Sequence, residues 1–494
     1  MKKFFHTCII VLLQALFLSF SVKATNIKPE IIDKAYRSVV TIEARSSISA
    51  YKTTGKWSGT GFITNLKKGL IVTNRHVISQ GSIGNYLITF FNGQKIEAKP
   101  RYDDSWLDFA VLEVDPKLLP KTVTEITFVA NKAAQNQRVF IIGNNEGQDF
   151  SFHEGYLSNL FSIEGDMPQH TYVVNLNAQG GSSGSPLINE QGEAVGLNYG
   201  RKDTYALSVK GEYILDVLTS LQSDKEPARK HSGVICDLYS LDQAVRHRNF
   251  PRELMQEYLK NFPDTRNNIL MVKSIIKDSP AYSKLKSGDI IWEVNSTQIG
   301  ASLYDFDKLM NNNQSNKINL TIFRDGAKIS TDISLYDINQ NKIKKMVEFG
   351  GAIFFESDDF FSQKSGMPIK SVAVANILEG MSMSAIPQKW RYGDKSFYRI
   401  KITRLDGHDI TNLDSLINAI ANLKQRKFIK IEFANFQPYY QGWDDILISD
   451  HENSISDITL DSIDLNPRIF TFNEKTMEWE VGNVDFVKIT KPLN

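Results

Sequence analysis

Between Pro29 and Leu221 the chain is built from short β-type runs, each broken by Gly, Asn or Asp. They are Val39–Ala44, Gly61–Thr64, Leu70–Thr73, Tyr86–Phe91, Phe109–Val114, Arg138–Ile142 and Ala194–Asn198. Strands this short and this frequent predict an all-β sandwich or a pair of barrels. The chain has 494 residues, more than one core can organise; at that length about three domains are expected. Apolar residues make up 41 % and charged residues 23 % of it, an ordinary globular balance that excludes collagen, coiled coil and wholesale disorder.

The N-terminus differs in kind. Lys2 and Lys3 precede the apolar run Phe4 to Phe20, and Val22-Lys23-Ala24 offers a cleavage site before Thr25. Residues 1–24 read as a secretory signal, with an uncleaved anchor helix as the alternative, and the compartment they predict is periplasmic or extracellular. Removing them takes away three of 57 Lys and Arg and none of 56 Asp and Glu, so 54 − 56 leaves a net charge of −2. That balance argues against nucleic acid or an anionic membrane surface as a partner. Cys236 is then the one remaining cysteine, so no internal disulfide can form.

The polar, proline-interrupted stretch 223–231 reads as a linker after a first domain of residues 25–222. A second unit, 232–340, carries strand signals at Val234–Leu238, Leu270–Ile275, Asp289–Val294, Lys317–Phe323 and Lys328–Leu335, with a helical stretch Leu303–Met310. A third, 348–436, repeats this plan more loosely through Ala352–Glu356, Ser371–Ile377, Tyr398–Arg404, Leu413–Leu423 and Phe428–Phe433. The tail 437–494 shows β-like runs Arg468–Phe472 and Asp485–Thr490 and no assignable fold.

Chemistry concentrates in the first domain. Gly180-Gly181-Ser182-Ser183-Gly184-Ser185-Pro186 follows an apolar run, and its glycines permit the sharp turn that aims backbone N–H groups at one point. A serine hydroxyl also needs a base. Of eight histidines, His76 ends a β-like run in Thr73-Asn74-Arg75-His76-Val77. His6 goes with the signal, and His153, His170, His231, His247, His408 and His451 lie in polar, loop-like or linker surroundings. Asp108 in Leu107-Asp108-Phe109-Ala110-Val111-Leu112 could fix the imidazole tautomer, while neighbouring Asp103 and Asp104 read as strand-end turn residues. The chain order His, Asp, Ser is the chymotrypsin order.

These three blocks, with Gly59-Thr60-Gly61-Phe62-Ile63, resemble the catalytic segments of the HtrA/Deg serine proteases, in a Gly-Ser-Ser-Gly-Ser-Pro subgroup. The resemblance implies a mostly β fold: a chymotrypsin-like double β-barrel followed by two PDZ-like α/β domains. It implies Ser183 as nucleophile, His76 as base, Asp108 orienting the base, and the N–H groups of Gly181 and Ser183 as the oxyanion hole. Asn198-Tyr199-Gly200 would pair with substrate backbone. Neutral residues Asn177, Leu197 and Leu207 near the S1 pocket imply cleavage after small or medium apolar residues.

Leu270–Ile275, Asp278-Ser279-Pro280-Ala281 and Leu285–Asn295 resemble the middle of a PDZ domain, which adds an extended peptide to its sheet edge. The implied receiving edge is Gly233-Val234-Ile235-Cys236. Phe349-Gly350-Gly351-Ala352-Ile353-Phe354 opens a second, diverged PDZ-like unit. The partners implied are unfolded or extended polypeptides and further copies of the chain in a trimer-based homo-oligomer, although no aromatic residue occurs between Thr25 and Ala35, where such contacts are expected. No metal or cofactor pattern appears. A holdase or a PDZ scaffold with little or no proteolysis stays open as the alternative.

Overall fold

A proline in the first turn, where a missing N–H costs nothing, opens helix α1 (Pro29–Ser38), and an Arg37–Asp33 pair at 2.9 Å braces its end. The computed structural model describes residues 27–484 apart from 51–53, 79–81, 105, 165–167, 387–398, 424–425, 442–445 and 461–465, with backbone alone at 437–452. The expected signal, 1–24, and the run Asp485–Thr490 lie outside the described residues.

Six strands then close a barrel: β1 (Val39–Ser49), β2 (Gly55–Asn65), β3 (Leu70–Thr73), β4 (Ser82–Phe90), β5 (Lys95–Asp103) and β6 (Ala110–Glu113), in the order β1-β2-β3-β6-β5-β4. Alternation builds it: in β5, Ile96 and Ala98 turn inward while Lys95, Glu97 and Lys99 face water. The one-turn helix α2 (Arg75–Ile78) follows β3. A second barrel closes as β10-β11-β12-β9-β8-β7 from β7 (Arg138–Asn145), β8 (Gln148–Ser162), β9 (Thr171–Asn175), β10 (Pro186–Asn189), β11 (Ala194–Lys202) and β12 (Tyr205–Lys210). Phe62, Val72, Phe140, Ile142 and Ile188 share one core cluster across the seam between the barrels. Helix α3 (Gly211–Gln222) buries Tyr213, Ile214, Val217, Leu218 and Leu221, a spacing that keeps one face on the second barrel.

The segment expected to be a solvated linker is not one at its end. Lys230 and His231 form strand β13, paired with β20 (Tyr336–Asp337), and His231 is 4 % exposed. The second unit orders its sheet β14-β15-β16-β18-β19, from β14 (Val234–Ser240), β15 (Asn268–Ile275), β16 (Ile290–Val294), β18 (Lys317–Arg324) and β19 (Ala327–Ser334). Strand β17 (Thr297–Gln298) folds back on β16 through Asn295 and Ser296, both at positive φ. Two helices missed in the sequence, α4 (Leu241–His247) and α5 (Arg252–Asn261), separate β14 from β15; α6 (Leu303–Asn311) separates β17 from β18.

The third unit repeats this order strand for strand. β22 (Ala352–Glu356), β23 (Val372–Ala375), β24 (Ile400–Leu405), β26 (Phe428–Gln441) and β27 (Ile446–Thr459) lie side by side, with β25 (His408–Asp409) folded on β24. Helix α7 (Asp359–Ser365) separates β22 from β23, and α8 (Leu413–Ala421) separates β25 from β26. The turn Leu405-Asp406-Gly407-His408 matches Val294-Asn295-Ser296-Thr297, each with two positive φ values between paired residues, as tight hairpins require.

One expected boundary fails here. The unit does not end at 436, because β26 continues to Gln441 and β27 pairs along its whole length. The tail, left without a fold in the sequence, finds one: β28 (Arg468–Asn473), which covers the expected run Arg468–Phe472, and β29 (Glu478–Asn483) join the sheet through β21 (Lys345–Phe349), which pairs with β22.

His170 was expected in polar, loop-like surroundings, yet it is 2 % exposed, and Leu303 N at the start of α6 donates to its Nε2 at 3.1 Å. Burial, with Lys210 adding to it, pushes its pKa from 6.5 down to about 4. The unfolded chain therefore takes up this proton first as pH falls, so the stability contributed by neutral His170 is full above pH 6.5 and lost towards pH 4. Denaturant titrations across that interval should show wild type losing on the order of 3 kcal/mol more than His170→Gln. Equal losses would remove His170 as the titrating group.

Candidate active site

The site is assembled at the seam, from the end of β3, the turn before β6 and the loop before β10. Asn74, fully buried, donates from Nδ2 to the Asp108 carbonyl at 2.7 Å and so ties the first two together. Asp108 then holds His76 twice: Oδ1 accepts its backbone N–H at 2.9 Å, and Oδ2 lies 2.6 Å from Nδ1. Two oxygens on one residue fix both ring position and tautomer, leaving Nε2 as the basic nitrogen. The acid is 7 % exposed and the imidazole 40 %, as expected for an orienting group behind a working one. Burial alone would push the Asp108 carboxyl up, but the His76 ring and N–H, with Arg75 behind them, bring it below its usual value.

The serine loop hangs on Thr60 of β2. Thr60 N donates to the Ser183 carbonyl at 2.8 Å, its hydroxyl donates to the Gly181 carbonyl at 2.9 Å, and that hydroxyl accepts Asn144 N at 2.9 Å. A side chain at Gly184, with φ +90°, would meet the Thr60 carbonyl at 1.9 Å, so only glycine permits this approach. Of the three serines, Ser182 is 3 % exposed and donates to the Gln179 carbonyl at 2.6 Å, and Ser185 is fully buried. Ser183 is partly exposed, which singles it out. The Gly180 carbonyl accepts from Glu146 N at 2.8 Å instead of from Ser183 three residues on. Among the described residues, the Gly181 and Ser183 N–H groups donate to no other protein atom, as an oxyanion hole needs.

The residues expected near the pocket (Asn177, Leu197, Leu207) and along the substrate backbone (Asn198, Tyr199, Gly200) divide. Asn177 is exposed beside Gln179, and Gly200 is half-buried on β11. Tyr199 is bulged out of the β11 register and shares its hydroxyl with Thr171 at 2.8 Å. Leu197, however, is fully buried in the seam, and Leu207 is 5 % exposed. Asn198 is a support for the loop: its N–H donates to Ser185 O, its carbonyl accepts Gly184 N, and its Nδ2 donates to Ser182 O. The expected peptide edge is also covered. Val234, Ile235 and Cys236 are at most 7 % exposed, and Ile235 joins the cluster holding Trp106 and Leu107 of the protease domain.

Nothing in the local sequence signals that the third unit reaches the site. Arg75, adjacent to His76, is 4 % exposed; its Nη2 lies 3.0 Å from Asp358 Oδ2, its Nε 3.2 Å from Asp103, and its guanidinium 4.2 Å over Phe360. Burial pushes the Lys364 ammonium down to about 7, opposed by the charge of Asp108. Asp103 is therefore an interdomain ion-pair residue, not a plain turn residue; Lys342 also reaches it at 3.3 Å. Thr60 and Asn144 were missed too. The Gly59-Thr60-Gly61 motif was the available signal for the first.

Comparison with known proteins agrees with this architecture. The trypsin-like peptidase domain matches residues 59–197, which include His76, Asp108 and Ser183, and the PDZ domain matches 256–335, beginning after β14. The uncharacterized protein RP187 of Rickettsia prowazekii is 43 % identical over 189 residues, 38 % of this chain and 97 % of that protein. The pro-apoptotic serine protease NMA111 of Saccharomyces cerevisiae is 25 % identical over 437 residues, 86 % of this chain. The chain spans only 41 % of the length of that yeast relative. The solved serine endoprotease from Yersinia pestis is 22 % identical, with a TM-score of 0.44 over 62 % of this chain and 97 % of its own. With a peptidase domain carrying His, Asp and Ser in order and a PDZ domain behind it, the chain belongs to the HtrA/Deg family of trypsin-like serine proteases.

Proposed function

We propose that the chain is an exported endopeptidase of the cell envelope that cleaves unfolded or extended polypeptide at Ser183. The observation that carries this is the two-point grip of Asp108 on His76 beside a loop in which Ser183 alone of three serines is accessible. The Ser183 hydroxyl attacks the scissile carbonyl as His76 Nε2 takes its proton, and the negative oxygen sits on the N–H groups of Gly181 and Ser183. Collapse expels the amine, which receives that proton. Water, deprotonated by the same nitrogen, then releases the acid and restores Ser183.

The other units regulate more than they capture. β14 is covered, and in the third unit, which we read as PDZ-like, the equivalent edge of β22 is filled by β21. Val347 and Phe349 of β21 share a core with Leu413, Leu416 and Ile420 of α8, and Lys345 Nζ pairs with Asp414 at 2.7 Å. No helix among the described residues is long and apolar enough to cross a membrane. We extend the proposal to a homo-oligomer, with Tyr36, 36 % exposed and packed on Phe91 and Phe150 of its own chain, as the proposed contact between copies. Light scattering should give a trimer or a multiple of one; a monomer would remove this part of the proposal.

A fluorophosphonate probe mapped by peptide mass should modify Ser183, and Ser183→Ala should abolish labelling and lower casein cleavage by roughly a thousandfold or more. Unchanged cleavage would refute the site. With neutral Asn177 at the pocket and Arg201 Nη1 2.5 Å from Gln179 Oε1 nearby, digestion of an unbiased peptide mixture should favour apolar residues before the cut. A preference for Lys or Arg would sink this specificity.

A further inference from the structure

Asp104 lies four residues before Asp108 and is fully buried. Its Oδ1 accepts the N–H groups of Trp106 and Leu107, both at 2.8 Å, and its own N–H donates to the Phe109 carbonyl at 3.0 Å. Tyr102 donates to Oδ2 at 3.0 Å. The carboxylate is thus the pin around which the chain turns to present Asp108. A buried carboxylate stays ionised only beside a cation, and that cation is Arg229, whose Nε stands 3.1 Å from Oδ2.

Arg229 does not belong to the protease barrels. It sits in the segment leading to the PDZ domain, and its Nη2 faces Asp307 Oδ2 of α6 at 3.9 Å. That distance is too long for a hydrogen bond. Arg229, Asp307 and Tyr213 line a cavity of about 40 Å³ there, so the outer contact has slack that the inner one lacks. Burial pushes the Asp307 carboxyl up to about 7 against the pull of Arg229. Two residues on, the His231 ring lies 3.9 Å from the Trp106 indole, and His231 Nδ1 accepts the N–H of Gly233 at the start of the PDZ edge. The Asp108 turn is therefore stitched to the PDZ domain at two points.

We infer that Arg229 is a positioning residue for the catalytic acid, held between Asp104 and Asp307 so that docking of the PDZ domain keeps Asp108 in place. This rests on the protease reading above. Were the PDZ domain to swing away and draw Arg229 with it, Asp104 would be left as an unpaired buried charge. The turn would relax, and His76 would lose the partner that sets its tautomer.

The test uses the full chain and the fluorophosphonate probe, whose reaction with Ser183 requires a placed base and no knowledge of the natural substrate. Arg229→Met should lower the limiting labelling rate roughly 10- to 100-fold, with little change in the probe concentration giving half that rate. The acid limb of the pH–rate profile should move to lower pH as His76 loses support. Arg229→Lys should recover part of the rate. Asp307→Asn should shift rate and limb in the same direction by less, and adding it to Arg229→Met should cost nothing further. If Arg229→Met melts earlier yet keeps the wild-type rate and limb, the network is interdomain packing only and the inference fails. If Arg229→Met does not fold, Asp307→Asn decides, and a wild-type rate and profile in that variant overturns the inference. Failure of the underlying protease reading looks different: wild type itself would leave Ser183 unlabelled.

Discussion

Neither barrel contains a complete site, and the contact on which everything else depends is the seam between them. The first barrel supplies His76 and Asp108; the second supplies the serine loop. Thr60 joins them with its N–H on the Ser183 carbonyl and its hydroxyl between the Gly181 carbonyl and Asn144 N. These are buried hydrogen bonds from one residue of a barrel strand, so the loop's backbone is held by a rigid element instead of by its own flexible glycines. A fully buried apolar cluster running through Phe62, Val72, Phe140 and Ile188 keeps the two barrels in the register that these bonds need.

Around this seam the two accessory units are laid with their peptide-type edges covered. In the second unit Val234, Ile235 and Cys236 of β14 are buried; in the third the corresponding β22 is paired with β21 and carries two further strands beyond it. Both units also place charge beside the catalytic segments. Asp358 reaches Arg75 next to His76, and the Arg229 segment reaches Asp104 before Asp108. Ion pairs this deeply buried contribute little net stability, because desolvation offsets the attraction, but losing one partner leaves an uncompensated charge. Such contacts make domain position matter to the site.

The parts legible in the sequence share one property: they depend on local chemistry. The strands β3 and β7, the helix α6 and the glycines flanking Ser183 each follow from an apolar run, helical period or backbone freedom within a few positions. Helices α4 and α5 were missed because their helical faces are short and sit between strand signals. The β-like run of β28 was legible, but the fold of the tail was not, because β28 and β29 are completed by pairing with β21, more than 100 residues earlier.

By itself the sequence determined the three candidate catalytic residues, their chain order, the β character of the first domain and the repeat of one strand plan in the next two. It could not determine what surrounds a polar side chain. His170 and His231 stand in polar sequence yet are buried, and Asp103 and Asp104 look like turn residues yet pair with Lys342 and Arg229 from beyond the barrels. Asn198, expected to pair with substrate backbone, braces the serine loop, and Leu197, expected near the pocket, lies in the core. Those outcomes belong to the tertiary structure alone, because burial and ion pairing arise from residues far apart in the chain, and no local pattern encodes which of them will meet.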